Sequence, residues 1–350
     1  MKIGEKIDSI QVVLLAGLTE VLLALPALRA LRAHFSRART SVLTSPGGSE
    51  LLGSVNWIDE AIGIGRLRKG EIFDLRTGYR TLRSIERLRQ YSREGLRPDL
   101  LVDLSGGIGS TLLRELIGSG SAVVGRQGGL LPGIFDPLQI DCAQLHRSHY
   151  YLRCLEPLGV RPVIAAPELS TLPAADERIE RLLRRLGIES GHLLIGLHPG
   201  QGLGAGEDGW PIDRFAALGR RLISQFNARL IIMCGRGEEQ RRRRLADALP
   251  RQETIPIDRL PLIDYLSLLA RLSLLIGNAG AVPHLGSAVG TPVVAVSLSS
   301  RATPFEIISQ SGITIRAPHF DQPDLQNEEA VFQAACQLLV LNRSRLLRDH

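Results

Sequence analysis

Four places along the chain gather residue types that can do chemistry. Glu20 stands just past the apolar run Ser9 to Leu15, where a buried strand would hand over to a helix. A carboxylate there suits a general base on a hydroxyl nucleophile, and it equally suits a first-turn acid favoured by the helix dipole behind a Thr19 N-cap. His198-Pro199-Gly200 opens a glycine-rich loop running to Gly209; Gly235-Arg236-Gly237-Glu238-Glu239 follows the next apolar run; and Gly277-Asn278-Ala279-Gly280-Ala281-Val282-Pro283-His284 follows a third. Loops that lead from strand ends into helix N-termini expose N–H groups able to hold an anion. Structural readings stand beside the chemical ones. His284 behind Pro283 fits a hydrogen-bonded residue at a helix entry, Asn278 fits a turn, Glu239 next to Arg241 to Arg244 fits a solvated face, and Trp210-Pro211 fits a packing role.

The elements that must position these residues alternate regularly. Ser9 to Leu15 reads as a strand and Glu20 to His34 as a helix with Val21, Leu25, Leu28 and Leu31 at helical spacing; Thr40 to Thr44, Leu100 to Asp103 and Ala122 to Val124 are further strand candidates. In the second half Leu193 to His198, Arg229 to Cys234, Leu272 to Ile276 and Val293 to Val296 read as strands, with helices from about Asp213 and from about Glu328 to Leu347. Strands alternating with helices predict parallel sheets covered on both faces. At 350 residues the chain exceeds the span of one core. Prolines between Pro162 and Ala175 mark a break, giving residues 1–170 and 171–350 as two Rossmann-like α/β domains.

Composition narrows the function classes. The net charge of +6 comes almost wholly from arginine, since Lys2, Lys6 and Lys69 are the only lysines. That balance permits attraction to nucleic acid, anionic lipid or a phosphorylated glycan. With 4% aromatics and no basic-aromatic interleaving, nucleic acid is not expected. No apolar run reaches the roughly 18 to 20 residues of a bilayer span, and no apolar signal core follows Met1 to Lys6, so a cytoplasmic location is expected. Cys142, Cys154, Cys234 and Cys336 are too scattered for a metal or redox motif and read as free thiols.

Taken together, the motifs resemble those of the bacterial heptosyltransferases, glycosyltransferase family nine. Gly277 to Pro292 is similar to the family pattern G-N-D-S/T-G-P-x-H-L-A-x-A-x-G-T-P, keeping Gly277, Asn278, His284, Leu285, Ala288, Gly290, Thr291 and Pro292 in frame. His198-Pro199-Gly200, Trp210-Pro211 and Phe215-Ala216 match its H-P-G, K-x-W-P and following helix. Val21-Leu22 with Pro26 to Leu31 matches its G-D-V-L-x-x-x-P-A-L-R-A-L start. The chain departs at charged positions: Glu20 stands for the family's acid, Asp208 for its lysine and Ala279 for its aspartate.

The resemblance implies a GT-B fold, two Rossmann-like domains facing a cleft, with the last helix packing back on the first domain. It also implies a metal-independent, inverting glycosyltransferase that needs no cofactor. The donor would be a nucleoside diphosphate sugar, ADP-heptose in the family, and the acceptor a lipopolysaccharide core or related glycolipid at the inner face of an anionic membrane. Glu20 would be the acceptor base. The nucleotide sugar would meet His198, Gly200, Gly202, Asp208, Trp210, Asn278, Gly280, Ala281 and His284, with Glu239 on the ribose and Arg236 or Arg301 adding positive charge. A second reading is a non-catalytic relative that binds a nucleotide or glycan, or pairs with an active transferase. A third, a dinucleotide dehydrogenase built on Gly204-Ala205-Gly206-Glu207-Asp208-Gly209, ranks below both: Gly204 lies six positions beyond His198, and the next strand ends in Cys234-Gly235 rather than an acid.

Overall fold

The computed structural model describes residues 7–64, 98–105, 110, 122–125, 145–163, 165–189, 191–200, 209–235, 237–299, 302–309, 311–316 and 325–346. The chain divides into two compact units, Met1–Pro167 and Glu168–His350.

Five parallel strands make the first unit's sheet: β1 (Ser9–Leu14), β2 (Arg39–Thr44), β3 (Glu60–Gly63), β4 (Leu100–Asp103) and β5 (Ala122–Gly125), in the order β3-β2-β1-β4-β5. Val12, Val13 and Leu14 are buried, as is all of β4, because helices cover a parallel sheet on both faces. Helix α1 (Leu18–His34) starts two residues earlier than the periodicity suggests, with Gly17 at the N-cap. The cap is therefore not Thr19, which lies buried in the first turn, and Glu20 is the third helical residue. Two shorter helices follow, α2 (Pro46–Leu52) and α3 (Arg147–Arg153), the latter packed on α1.

The second unit repeats the plan with one more strand. β6 (Leu194–His198), β7 (Arg229–Ile232), β8 (Thr254–Pro256), β9 (Leu274–Asn278), β10 (Val293–Ser297) and β11 (Gly312–Arg316) run parallel in the order β11-β10-β9-β6-β7-β8. Around them lie α4 (Pro173–Arg185), α5 (Ile212–Phe226), α6 (Glu239–Asp247), α7 (Leu262–Ala270), α8 (Ala281–Ala288) and α9 (Leu325–Leu346). β9 runs two residues beyond the expected Ile276, because Gly277 and Asn278 still pair with His198 and Val296. Asn278 is thus the last residue of a strand, not a turn residue. Trp210 and Phe215 meet edge to face, with ring centroids 4.7 Å apart, in a core that α9 completes with Val331, Phe332, Ala335 and Leu338. Among the described residues no helix is long and apolar enough to cross a membrane.

Counted within each unit, the strand order is 3-2-1-4-5, with a sixth strand at the edge of the second. The order reverses between β1 and β4 and between β6 and β9. Doubly wound sheets of this order hold ligands at that reversal, beyond the carboxyl ends of the strands. In the second unit those two ends are His198 and Asn278; in the first they are Leu14 and Asp103.

Candidate functional site

At the reversal in the second unit the backbone comes very close. Gly277 lies beside His198, and a Cβ on it would meet the His198 Cβ at 3.0 Å and its carbonyl oxygen at 3.1 Å. Asn278 is 1% exposed and both ends of its amide are bonded. Nδ2 donates to the Gly200 carbonyl at 2.5 Å, and Oδ1 accepts from the Trp210 N–H at 2.9 Å. From the other side Arg241 does the same job: Nε donates to the Pro199 carbonyl at 2.7 Å and Nη2 to the Trp210 carbonyl at 3.3 Å. Both side chains tie the residue range 199–200 to residue 210, holding these two points of the chain together as one gate. Gly209, at φ 50°, closes it against the Asn278 amide, where a Cβ would lie 2.5 Å from Nδ2. Gly202 and Asp208, between those two points, lie outside the described residues, as do Arg236 and Arg301.

His198 ends β6 with its ring buried, and neither ring nitrogen has a hydrogen-bond partner. Nε2 stands 3.8 Å from Glu238 Oε2. That carboxylate accepts the Gly235 N–H at 2.7 Å, and with the His198 ring it presses on the Cα of Gly200, where no side chain would fit. Burial drives the His198 ring toward its neutral form, and the nearby Glu238 opposes this only in part. Glu239, the residue matched to the family's ribose contact, begins α6 instead; its carboxylate accepts the Gly237 N–H at 3.2 Å on the surface. Backbone N–H groups, its own and that of Gly237, hold its pKa below the ordinary value. Of the two adjacent glutamates, Glu238 is the one turned inward.

Gly280 caps α8 and Ala281 opens it, so its first N–H groups project from the end of β9. His284, 4% exposed, donates from Nε2 to the Phe305 carbonyl at 2.9 Å, which fixes the segment after β10. Trp210 is buried against Phe215 and meets the site through its backbone alone.

In the first unit the Glu20 carboxylate turns back to accept the Gly17 N–H at 3.3 Å. The helix-capping role is thus realised, on a side chain that remains partly exposed. Sequence reasoning treated Asp103 only as a strand end. It is 1% exposed and accepts the Ser105 N–H and the Ser110 hydroxyl, each at 2.9 Å. Ser105 Oγ in turn accepts the Leu15 N–H at 2.6 Å and donates to the Val13 carbonyl at 3.2 Å, pinning the loop from which Glu20 springs. An acid and two hydroxyls spaced over Asp103 to Ser110 were the available signal. No group of three or more His, Cys, Asp or Glu among the described residues is arranged as a metal site.

Residues 204–334 match the family model of glycosyltransferase family 9 (heptosyltransferase). No curated protein matches the chain. Among solved structures, a glycosyl transferase family 9 protein from Veillonella parvula superposes with a TM-score of 0.79 at 18% identity, covering 96% of this chain and 99% of that one. The E. coli ADP-heptose lps heptosyltransferase II gives 0.75 at 19% identity, with 96% and 99% covered. E. coli heptosyltransferase WaaC with ADP-2-deoxy-2-fluoro heptose gives 0.62 at 17%, with 95% and 99% covered. The chain therefore has the two-unit α/β fold of these transferases, and its residues 204–334 are similar to glycosyltransferase family 9.

Proposed function

We propose that the chain is an inverting glycosyltransferase whose second unit binds a nucleoside diphosphate sugar, ADP-heptose by analogy with its structural neighbours, and whose acceptor is a lipopolysaccharide core or related glycolipid. The observation that carries this reading is the convergence at the sheet reversal of the second unit, which the family 9 match overlaps: Gly200, inward-facing Glu238, the gate closed by Asn278 and Arg241, and the opening turn of α8. Exposed N–H groups at the start of α8 suit a diphosphate, and Glu238 suits a ribose hydroxyl better than Glu239 does. Glu20 is assigned as the base that takes the acceptor proton. Its present bond to Gly17 is long, and catalytic groups without substrate are often held this way.

The test is a panel of ADP, UDP and GDP sugars, scored for nucleoside diphosphate release with and without glycolipid, on wild type and Glu20→Gln. Acceptor-dependent release in wild type, reduced about 10²- to 10⁴-fold by the substitution while stability changes by only about 0.3 to 1 kcal/mol, is the expected result. Undiminished transfer by a folded variant rejects Glu20 as base. Nucleotide binding without transfer to any acceptor favours the non-catalytic relative instead.

A further inference from the structure

A departing diphosphate gains negative charge, while two arginines among the described residues at this end of the second unit, Arg241 and Arg242, are already held by other partners. No lysine follows Lys69. Arg241 is committed to the Pro199 and Trp210 carbonyls, and Arg242 is paired with Asp258 at 2.8 Å. What this end of the sheet does hold is a latent cation, His198. Its side chain is 7% exposed, neither ring nitrogen has a partner, and it stands against Glu238 at the first residues of the nucleotide loop. A buried imidazole N–H with no acceptor costs about 1–3 kcal/mol, a penalty that a bond to a nearby acceptor would relieve.

The groups around the pair leave that role to Glu238. Cys234, after β7, is driven toward its neutral thiol by burial. Tyr265, on α7, has a buried hydroxyl with no partner and is likewise held neutral by burial. Glu239 and Arg242 act on Cys234 from α6, Asp258 acts on it from beyond β8, and Asn278 on β9 is neutral and bonded at both ends of its amide. A proton arriving at His198 would convert the 3.8 Å approach to Glu238 into an ion pair and place positive charge beside Gly200.

We propose that binding of a nucleoside diphosphate to this unit is coupled to uptake of one proton by the His198–Glu238 pair, the resulting imidazolium placing positive charge at the end of β6. The proton comes from solvent, is retained while the diphosphate is bound and returns to solvent when it leaves. This inference rests on the reading that a nucleoside diphosphate binds here.

Calorimetric titration of the full chain with ADP, UDP and GDP near pH 7.5, about one unit above the ordinary histidine value, in buffers of differing ionisation enthalpy counts the protons directly. Wild type is expected to take up about one proton per nucleotide bound. His198→Gln is expected to take up none and to bind about tenfold to a hundredfold more weakly, while the matching nucleoside, lacking phosphate, drives no uptake in either protein. Glu238→Gln, which keeps the imidazole but removes its counter-ion, is a second variant should the first fail to fold, and its uptake is expected to fall well below one. Nucleotide binding by wild type with no buffer dependence overturns the coupling and leaves the nucleotide reading intact, as does undiminished uptake in either folded variant. Absence of binding heat in every buffer removes the nucleotide reading itself, and the coupling with it.

Discussion

A single amide at the end of a strand decides how the nucleotide loop is held. Asn278 satisfies one carbonyl and one N–H at once, both in a buried setting, so removing it leaves two backbone groups without partners. Each such group costs about 1–3 kcal/mol. Asn278→Ala is therefore expected to lower stability by at least that much in a denaturant melt. An Ala variant that melts like wild type but no longer binds nucleotide would move Asn278 from loop clamp to ligand contact. Asn278 was visible from the sequence as a motif residue, but its role was not. The pairing of β9 with β6 brings residue 278 to residues 200 and 210, and no local spacing reports a contact across that distance. Glu238 and Glu239 illustrate the same limit at closer range. The chain turns through Gly237 at φ 84° before α6 begins, and that turn decides which carboxylate folds back to Gly235.

The helix that follows Asn278 depends on a residue with no side chain. Gly286 faces β9, and a Cβ placed there would stand 2.6 Å from Leu275 Cδ2 and 3.4 Å from Val293 Cγ2, both on fully buried side chains. Overpacking of this kind costs about 1–3 kcal/mol, more than the roughly 1 kcal/mol that replacing glycine in a helix returns. Gly286→Val is expected to lower the melting temperature and, by pushing α8 off the sheet, to weaken nucleotide binding; a melt at or above that of wild type would show that Leu275 yields. The central elements were legible because buried parallel strands leave long apolar runs such as Leu193 to His198, flanked by glycine and proline. Three of the four edge strands were not, β5 being the exception. In β3 and β11 no residue is fully buried, and β8 spans three residues ending in Pro256, so none leaves an apolar run to read. The arginine run after Glu239 reads as a solvated face, yet the helical turn aims Arg241 at the loop gate and Arg242 at Asp258, and a charge count alone does not distinguish those directions.

Across the whole chain, two sheets of the same winding place different chemistry at the same topological point. Between β1 and β4 the reversal is lined by carboxylates and hydroxyls, Asp103, Ser105 and the nearby Glu20; between β6 and β9 it is lined by glycines, an amide and a histidine beside Glu238. Acids and hydroxyls suit the hydroxyls of a sugar acceptor, whereas a glycine-lined approach and a helix N-terminus suit an anion. If the division of labour follows this chemistry, a nucleotide stabilises backbone hydrogen bonds at one reversal and not the other. Ligand binding raises the opening free energy of the segments it holds, by about 2.7 kcal/mol at a hundredfold excess over Kd. Hydrogen exchange of the full chain with saturating ADP, UDP or GDP is therefore expected to slow most at residues 197–200, 235–242 and 278–285. Exchange at residues 13–20 and 103–105 should stay near its ligand-free rate until a glycolipid acceptor is added. Protection arising first around Glu20 and Asp103 would exchange the roles of the two units, and equal protection at both reversals from nucleotide alone would remove the separation of donor and acceptor sites.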